Sequence, residues 1–358
     1  METTITRSGP GRALHRFAVF TALATLGLIA MGGLVTSHGA GMAVPDWPTT
    51  YGYNMFLFPI SLWKGGIFYE HSHRLYASVV GLLTLVLAGW LWHAAPNRAL
   101  RWAGVGALFL VGVQGLLGGL RVTLFKDQIG IVHATLAQIF LAWVSGIALR
   151  TSPWWDNLRR ASVVPVSANA ARLLGWVTAL ILVQLILGAA MRHQHAGLAV
   201  PDFPLAYGSL WPATDAESII RYNQVRREVV AYNPITAAQV ILHMMHRVGA
   251  IVVYVSVAGC AWVVRRQVGG RHPAARLVVA WFGVINLQFL LGAATVWSVK
   301  AADVATAHVV TGAVALVTGS VAFGVARRLG ACGASRETVL AAARPTVLSS
   351  GKIVEVTR

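Results

Sequence analysis

The chain has 358 residues, of which 56% are hydrophobic and only 11% are charged. A mean hydropathy of +0.64 excludes an ordinary soluble domain of this size and predicts an all-α, polytopic membrane protein. The formal net charge of +17 would suit a nucleic-acid binder, but its distribution along the chain argues for a different explanation.

Eight long apolar runs predict eight transmembrane helices. Each run continues for about 20 residues, the length needed to cross a hydrocarbon core of about 30 Å. The first run follows several arginines but is longer than the apolar core of a signal peptide, so we expect an uncleaved helix rather than a cleaved signal. The runs begin near Phe17, Ser72, Ala103, Gly130, Leu173, Ile241, Leu277 and Val304.

The arginines indicate how these helices cross the membrane. If the N-terminus is cytoplasmic, the connections that carry most of the arginines are cytoplasmic too, as the positive-inside rule requires. We therefore expect both termini in the cytoplasm, and we interpret the charge as a topology signal plus a basic tail, with no nucleic-acid partner. The arginines concerned are Arg98, Arg101, Arg150, Arg159, Arg160, Arg172, Arg265, Arg266, Arg271, Arg276, Arg327 and Arg328.

An internal repeat organises the chain. The segment Ala-Val-Pro-Asp-Trp-Pro at 43–48 recurs as Ala-Val-Pro-Asp-Phe-Pro at 199–204, and each copy is followed by Tyr-Gly. The repeat predicts two similar four-helix bundles of the same orientation, related by an axis along the membrane normal. The predicted organisation is a cytoplasmic N-terminal segment at 1–16, an N-terminal bundle at 17–150, a cytoplasmic linker at 151–172, a C-terminal bundle at 173–328 and a basic cytoplasmic tail at 329–358.

Two histidine pairs occupy matching places in the two halves. His73 is followed by His133, and His246 is followed by His308. All four lie within about two turns of the outer end of a predicted helix, so they share one membrane level. In each half the two histidines lie on different helices of similar direction, and bundle cores commonly hold cofactors between facing helices. The pattern predicts two haems, each with two histidines as axial iron ligands.

Two other interpretations of these histidines are weaker. A single intramembrane histidine more often forms a hydrogen bond across a helix interface than a bond to a metal. Four histidines at repeated positions make that explanation weaker, because polar groups in hydrocarbon are costly unless they are used. Zinc or copper is a further alternative, but zinc usually needs three or four clustered ligands.

The two halves differ three residues before the first histidine of each pair, where Glu70 stands against His243. The spacing places Glu70 on the same helix face as His73, where it is a candidate for proton transfer; the alternative is an i, i+4 pair with Arg74. Arg74 and Arg247 each follow a histidine and are candidates for binding haem propionates through a bidentate fork, with snorkelling to the outer headgroups as the alternative.

Several of these motifs together carry a family resemblance. The duplicated histidine pattern and four local motifs closely resemble the haem A synthase family over about Phe17 to Arg328. The Glu-x-x-His-Arg motif alone would be weak evidence for this family. Within a duplicated pattern of eight predicted helices it is a specific signal. The four motifs are Gly33-Leu34-Val35-Thr36, Val44-Pro45-Asp46-Trp47-Pro48, Glu70-x-x-His73-Arg74 and Gly118-Gly119-Leu120-Arg121.

The resemblance implies a membrane oxidoreductase that oxidises the C8 methyl of haem O, through the alcohol, to the formyl group of haem A for cytochrome oxidase. It implies that His73 and His133 flank the substrate haem, that Glu70 is the acidic group needed for turnover, and that His246 and His308 ligate an electron-passing haem b. The expected location is a bacterial plasma membrane or the mitochondrial inner membrane. Expected partners are haem O, the enzyme that supplies it, an unidentified electron donor and the lipid bilayer; a homo-oligomer is left open.

The chain departs from part of the family in its first outer loop. Some members carry a pair of cysteines there, at approximately the places where this chain has Val44 and Thr50. Any redox or haem-transfer role proposed for a disulfide between those cysteines therefore does not apply to this chain. Two other functions are alternatives. One is a non-catalytic electron carrier that resembles the two-haem membrane cytochromes b, which would share the four histidines but would not require Glu70. The other is a haem-binding assembly or storage protein, for which the loops would be the partner surface.

Overall fold

The structure is a computed structural model and describes residues 11–160, 164–225 and 234–342, with the side chains of 159–160 and 332–342 left aside. Within these ranges it is all-α, with two isolated bridges and no strand. The α-helices are α1 (Arg12–Ser37), α2 (Gly66–Ala94), α3 (Arg98–Thr123), α4 (Asp127–Arg150), α5 (Pro153–Arg160), α6 (Ala168–His193), α7 (Ala216–Val225), α8 (Ala237–Val268), α9 (Pro273–Trp297) and α10 (Ala302–Ala342).

Eight of these helices are long and apolar enough to cross a membrane, which confirms the eight predicted spans. They are α1, α2, α3, α4, α6, α8, α9 and the Ala302–Ala331 part of α10. Each begins a few residues before the apolar run that predicted it, because polar first turns belong to the helix. Asn97 and Ser167 accept hydrogen bonds from the first turns of α3 and α6, and Thr236 forms a capping box with Gln239 at the start of α8.

The spanning helices pack in two groups of four. Helices α1, α2, α3 and α4 contact one another in sequence, and α4 closes the group by contacting α1; α6, α8, α9 and α10 do the same. The groups meet where α1 and α4 contact α10, and where α4 contacts α6. Each group has its own buried core, centred on Leu87 and Val144 in the first and on Trp281 and Val257 in the second.

Large apolar side chains also cover the outside of the helices. Phe109, Trp176 and Leu290 are exposed on spanning helices, where water would make them unfavourable and lipid would not. Outward apolar residues and buried small residues together are the expected pattern for a helix bundle in a bilayer. The protein is therefore an integral, multi-pass membrane protein.

Two short α-helices lie in the described connections. Helix α5 falls within the predicted linker, and its Asp156 lies 3.8 Å from the Arg328 guanidinium on α10. Helix α7 lies in the connection between α6 and α8, of which residues 226–233 are outside the described part of the chain. Helix α10 continues to Ala342, so the first part of the predicted tail is helical, and residues 343–358 also lie outside the described part of the chain.

The repeated Pro-Asp loops have the same backbone arrangement. In the first loop Asp46 accepts hydrogen bonds from the N–H groups of Tyr51 and Gly52, and the Tyr51 hydroxyl donates to the carbonyl of Ala43. Tyr51 and Gly52 have φ angles of 50° and 77°, in the left-handed region that this turn requires.

The second loop repeats each of these contacts. Asp202 accepts from the N–H groups of Tyr207 and Gly208, whose φ angles are 52° and 76°. The Tyr207 hydroxyl donates to the carbonyl of Ala199. The two sequence copies thus fold in the same way locally, and each lies in the connection that leads to the helix with the first histidine of its half.

Candidate functional site

The first histidine pair lies on α2 and α4, near the start of each helix. His73 and His133 follow the helix starts by seven and six residues. Each imidazole packs against a glycine of the preceding helix. A Cβ on Gly32 of α1 would lie 3.2 Å from Nε2 of His73, and a Cβ on Gly118 of α3 would lie 3.4 Å from Cε1 of His133.

The second pair repeats this arrangement on α8 and α10. A Cβ on Gly188 of α6 would lie 3.2 Å from Cε1 of His246, and one on Gly292 of α9 would lie 3.1 Å from Cε1 of His308. The centres of the two imidazole rings are 6.4 Å apart, with an interplanar angle of 73°. The two histidines of this pair therefore face each other across the interior of the second group.

The residues present fit the predicted haem ligation. Imidazole is a usual axial ligand of haem iron, and each pair presents two imidazoles from different helices. Nδ1 of His133 is buried and has no hydrogen-bond partner within the described ranges, and each ring lies in a space that a side chain larger than glycine would narrow. Among the described residues, no group of three or more His, Cys, Asp or Glu could hold a metal ion. The candidate ligands are two pairs of imidazoles. Two axial ligands suit haem iron, whereas a tetrahedral zinc site needs three or four protein ligands.

Glutamines hold the histidines of these pairs in position. The Gln184 amide lies 3.1 Å from Nδ1 of His246 and donates to its carbonyl at 2.8 Å. Nδ1 of His308 lies 3.1 Å from the backbone carbonyl oxygen of Gln288, the kind of contact that fixes the tautomer of many metal-ligating histidines, and the Gln288 side-chain amide nitrogen lies 3.4 Å from Nε2 of the same ring. Gln114 donates to the carbonyl of His133 at 3.1 Å.

Sequence reasoning missed these glutamines, although a signal was present. Each stands four residues before the glycine that packs against a histidine, at Gln114 and Gly118, Gln184 and Gly188, and Gln288 and Gly292. Residues at this spacing share a helix face. The glycine that packs against the remaining histidine, His73, is Gly32. Leu28 stands four residues before it, so no glutamine amide occupies the equivalent place near His73.

Glu70 lies one helical turn before His73 and is buried. Its Oε1 accepts from the Arg74 guanidinium at 2.8 Å, and its Oε2 accepts from the N–H of Val44 at 2.8 Å. The i, i+4 pair with Arg74 is therefore present, and the carboxylate also contacts the first loop. At the matching position His243 instead places its Nδ1 3.1 Å from the carbonyl of Ala196.

Arg74 and Arg247 hold the two outer loops. The Arg74 guanidinium donates to the carbonyls of Val44, Asp46 and Thr49, in addition to Glu70. Arg247 does the same in the second half, with bonds to the carbonyls of Val200, Asp202 and Leu205. This geometry favours a loop-holding role, and the predicted contact with propionates stays a prediction.

His71 shares the motif but has a different environment. It is fully buried, its Nδ1 lies 3.2 Å from the Thr50 hydroxyl, and its ring packs against Phe58 and Trp63. Met244 occupies the matching place in the second half. His71 therefore packs beneath the first loop and has no counterpart in the repeated set.

A polar contact joins the two groups between the histidine pairs. Arg192, in the last turn of α6, donates to the carbonyl of Gly33 at 2.8 Å and to the Ser37 hydroxyl at 2.9 Å, both on α1. The Ser37 hydroxyl lies 3.4 Å from that of Thr306 on α10. Gly33 adjoins the glycine beneath His73, and Thr306 is two residues before His308, so this contact lies close to both pairs.

A comparison with protein families identifies the chain's relatives. A family model described as cytochrome oxidase assembly protein, COX15-CtaA, matches residues 57–320. The chain belongs to this family. The matched region contains Glu70 and all four histidines of the two pairs, so membership confirms the resemblance that the motifs indicated.

Three proteins similar to this chain are each named heme A synthase. The heme A synthase of Alkalihalophilus pseudofirmus is 26% identical over 310 residues, which cover 83% of this chain and 92% of that protein. The heme A synthase of Brucella anthropi is 26% identical over 311 residues, or 78% and 82% of the two chains. The heme A synthase of Shouchella clausii is 29% identical over 214 residues, or 58% and 68%. These matches support membership of a family of haem A synthases and an enzymatic role.

Proposed function

We propose that this member of the cytochrome oxidase assembly family is a haem A synthase that oxidises the C8 methyl of haem O, through the alcohol, to the formyl group of haem A. The relatives carry that name, and the two histidine pairs fit porphyrin ligation. The observation that carries the proposal is the difference between the halves. Only the first pair has a buried carboxylate, Glu70, one turn away on the same helix.

In this proposal His73 and His133 hold the substrate haem in the first group. In each oxidation step O2 would be the oxidant: it takes two electrons from the substrate carbon and two from the electron donor and, with two protons, yields the added hydroxyl group and one water. Glu70 is the acidic group placed to transfer a proton in these steps, because its carboxylate shares the helix face of His73. Arg74 keeps that carboxylate and the first loop in place, and the loop limits access of water from the outer face.

His246 and His308 would hold haem b in the second group, with Gln184 and Gln288 orienting the imidazoles. When bound there, haem b would supply one-electron transfer between an electron donor and the first site. The Arg192 contact with α1 fixes the two groups against each other and so supports a constant separation of the sites.

We further propose that the two groups are a parallel repeat, inserted with the N-terminus in the cytoplasm. The matching Asp46 and Asp202 loops, each preceding the first histidine of its half, support the repeat. The arginine distribution supports the orientation. The proposed partners are haem O and the enzyme that supplies it, and a cysteine scan of the two loops with an impermeant thiol reagent would test their outward location.

The test of the enzyme is product analysis. Membranes that contain the chain and a supply of haem O are extracted, and the haems are identified by mass. A hydroxymethyl or formyl product supports the proposal, whereas unchanged haem O beside bound haem b would favour the non-catalytic carrier. Glu70→Gln should abolish product and keep the haem b spectrum, and His243→Ala, at the matching position, should keep both. Full activity of Glu70→Gln would remove Glu70 from the mechanism.

A further inference from the structure

Arg121, in the last turn of α3, is a mostly buried cation whose guanidinium forms no hydrogen bond with the described part of the chain. Its side chain is 15% exposed, and its Nε is buried with no partner among the described residues. The nearest carboxylate is that of Asp127, at 3.6 Å, and Asp127 is itself 47% exposed. That separation is an ion pair at most and satisfies none of the five guanidinium N–H groups with a hydrogen bond.

Such a group is costly in a membrane protein. A charged side chain at this depth is retained when it pairs with another group or serves a function, and buried donors are almost always satisfied. Two other arginines near the pairs follow this rule, because Arg74 and Arg247 each donate to several loop carbonyls. Arg121 differs from both, so its donors are available to a ligand.

The position of Arg121 indicates which ligand. Its guanidinium lies against Gly41 of the first loop, where a Cβ would come within 2.6 Å of Nη2. Gly118, which packs against His133, stands three residues before Arg121 on α3, so the two positions share a helix face. Arg121 therefore lies between the first loop and the first histidine pair, at the outer edge of the space where a porphyrin would be held.

We propose that Arg121 binds a propionate carboxylate of the haem held between His73 and His133. This rests on the proposed haem site of the first group. A guanidinium matches a carboxylate in a bidentate fork, and the bond would satisfy the donors that the protein leaves unused. Thr295 stands at the matching position of the second half, so the contact distinguishes the substrate site from the haem b site.

The experiment compares haem b with its dimethyl ester as probes, added to the full-length protein purified in detergent. Binding to the first site is the part of the titration that His73→Ala removes. The wild-type protein should bind the free acid more tightly than the ester at this site. Arg121→Gln should lose about 10- to 100-fold in affinity for the free acid and little for the ester, because a hydrogen bond to a charged group is removed.

Two further variants complete the design. Arg121→Lys keeps the charge without the fork and should lose less affinity than Arg121→Gln. Arg101→Gln, at the other end of α3, should behave as wild type. If the wild-type protein binds acid and ester equally, or if Arg121→Gln still prefers the acid as strongly, Arg121 is not the anchor. If His73→Ala removes no part of the haem binding, the proposed haem site between His73 and His133 is wrong, and with it the role of Arg121.

Discussion

The backbone N–H of Val44 donates a 2.8 Å hydrogen bond to Oε2 of Glu70. The carboxylate that distinguishes the two sites is thus bound to the first outer loop at one oxygen and to the loop-holding Arg74 at the other. A change at Glu70 therefore acts on the chemistry and on the loop together, so the two effects need separate measurements.

Loss of the Glu70 carboxylate should destabilise the protein. Glu70→Ala leaves the buried Arg74 guanidinium without its charge partner, and removing one member of such a pair costs about 3 kcal/mol of unfolding free energy. Glu70→Gln should cost less, because its amide oxygen can still accept from Val44. Unfolding in detergent with increasing SDS measures this, with His243→Ala as the control. Equal stability of Glu70→Ala and the control would contradict the paired geometry.

The glycines beneath the histidines should control haem retention. Gly188→Ala and Gly292→Ala place a methyl group 3.2 Å and 3.1 Å from the second imidazole pair, so the rings must shift. We expect each to lower bound haem b several-fold, and Gly118→Ala, at 3.4 Å, to have a weaker effect on the first site. Haem per protein is measured from the reduced absorption spectrum.

The control for this series is Gly115→Ala, on the same helix as Gly118, where a Cβ would meet nothing within 4 Å. It should retain haem as the wild type does. If Gly115→Ala and Gly292→Ala lost haem equally, helix propensity or expression would account for the loss, and the close contact would not.

The second loop should open when Arg247 is replaced. Arg247→Gln removes three bonds to loop carbonyls, so limited proteolysis within 199–208 should become at least several-fold faster. Arg266→Gln, an exposed arginine at the other end of α8, should leave the rate unchanged. A loop that stays protected in Arg247→Gln while haem b is lost would instead support the predicted propionate contact.

The first loop should loosen in acid. Burial raises the pKa of Asp46, but hydrogen bonds from Gly52, Thr49 and Tyr51 outweigh it and hold the pKa below the ordinary value of 3.8. Because the pKa of Asp46 is lower in the folded protein, the ionised carboxylate stabilises the loop fully at pH values above its ordinary pKa. This stabilisation is lost as the pH falls through the folded pKa.

Hydrogen exchange at the Tyr51 and Gly52 amides, corrected for the intrinsic effect of pH, measures this loosening. Protection should be constant near neutral pH and should fall below about pH 4. Asp46→Asn should remove the pH dependence. Unchanged protection of the wild-type amides at pH 2 would show that the carboxylate does not hold the turn.

The sequence was sufficient for the spans and for the matching positions of the four histidines, because both depend on local patterns; their role as haem ligands stays a prediction. Apolar length predicts a spanning helix, and the repeat offset places His73 with His246 and His133 with His308. The i, i+4 pair of Glu70 and Arg74 followed from helical spacing in the same way.

Contacts between distant segments were not predictable in that way. The bonds of Arg74 to loop carbonyls depend on the path of a loop more than 20 residues earlier, and the approach of Gly32 to His73 depends on how α1 crosses α2. A glycine in an apolar helix has several explanations until its neighbour is known. That the Arg121 guanidinium has donors without hydrogen bonds to the described residues can be seen only once its neighbours from other segments are known.

The Arg74 contacts also bear on the order in which the molecule is made. They join residues 25 to 30 positions apart, so the first loop can close once α2 has entered the bilayer. The Arg192 bond to Gly33 spans 159 positions and must wait until α6 has been synthesised. Local closures generally precede distant ones. During synthesis, the outer loop of the first half can therefore be complete before the second half exists to dock against it.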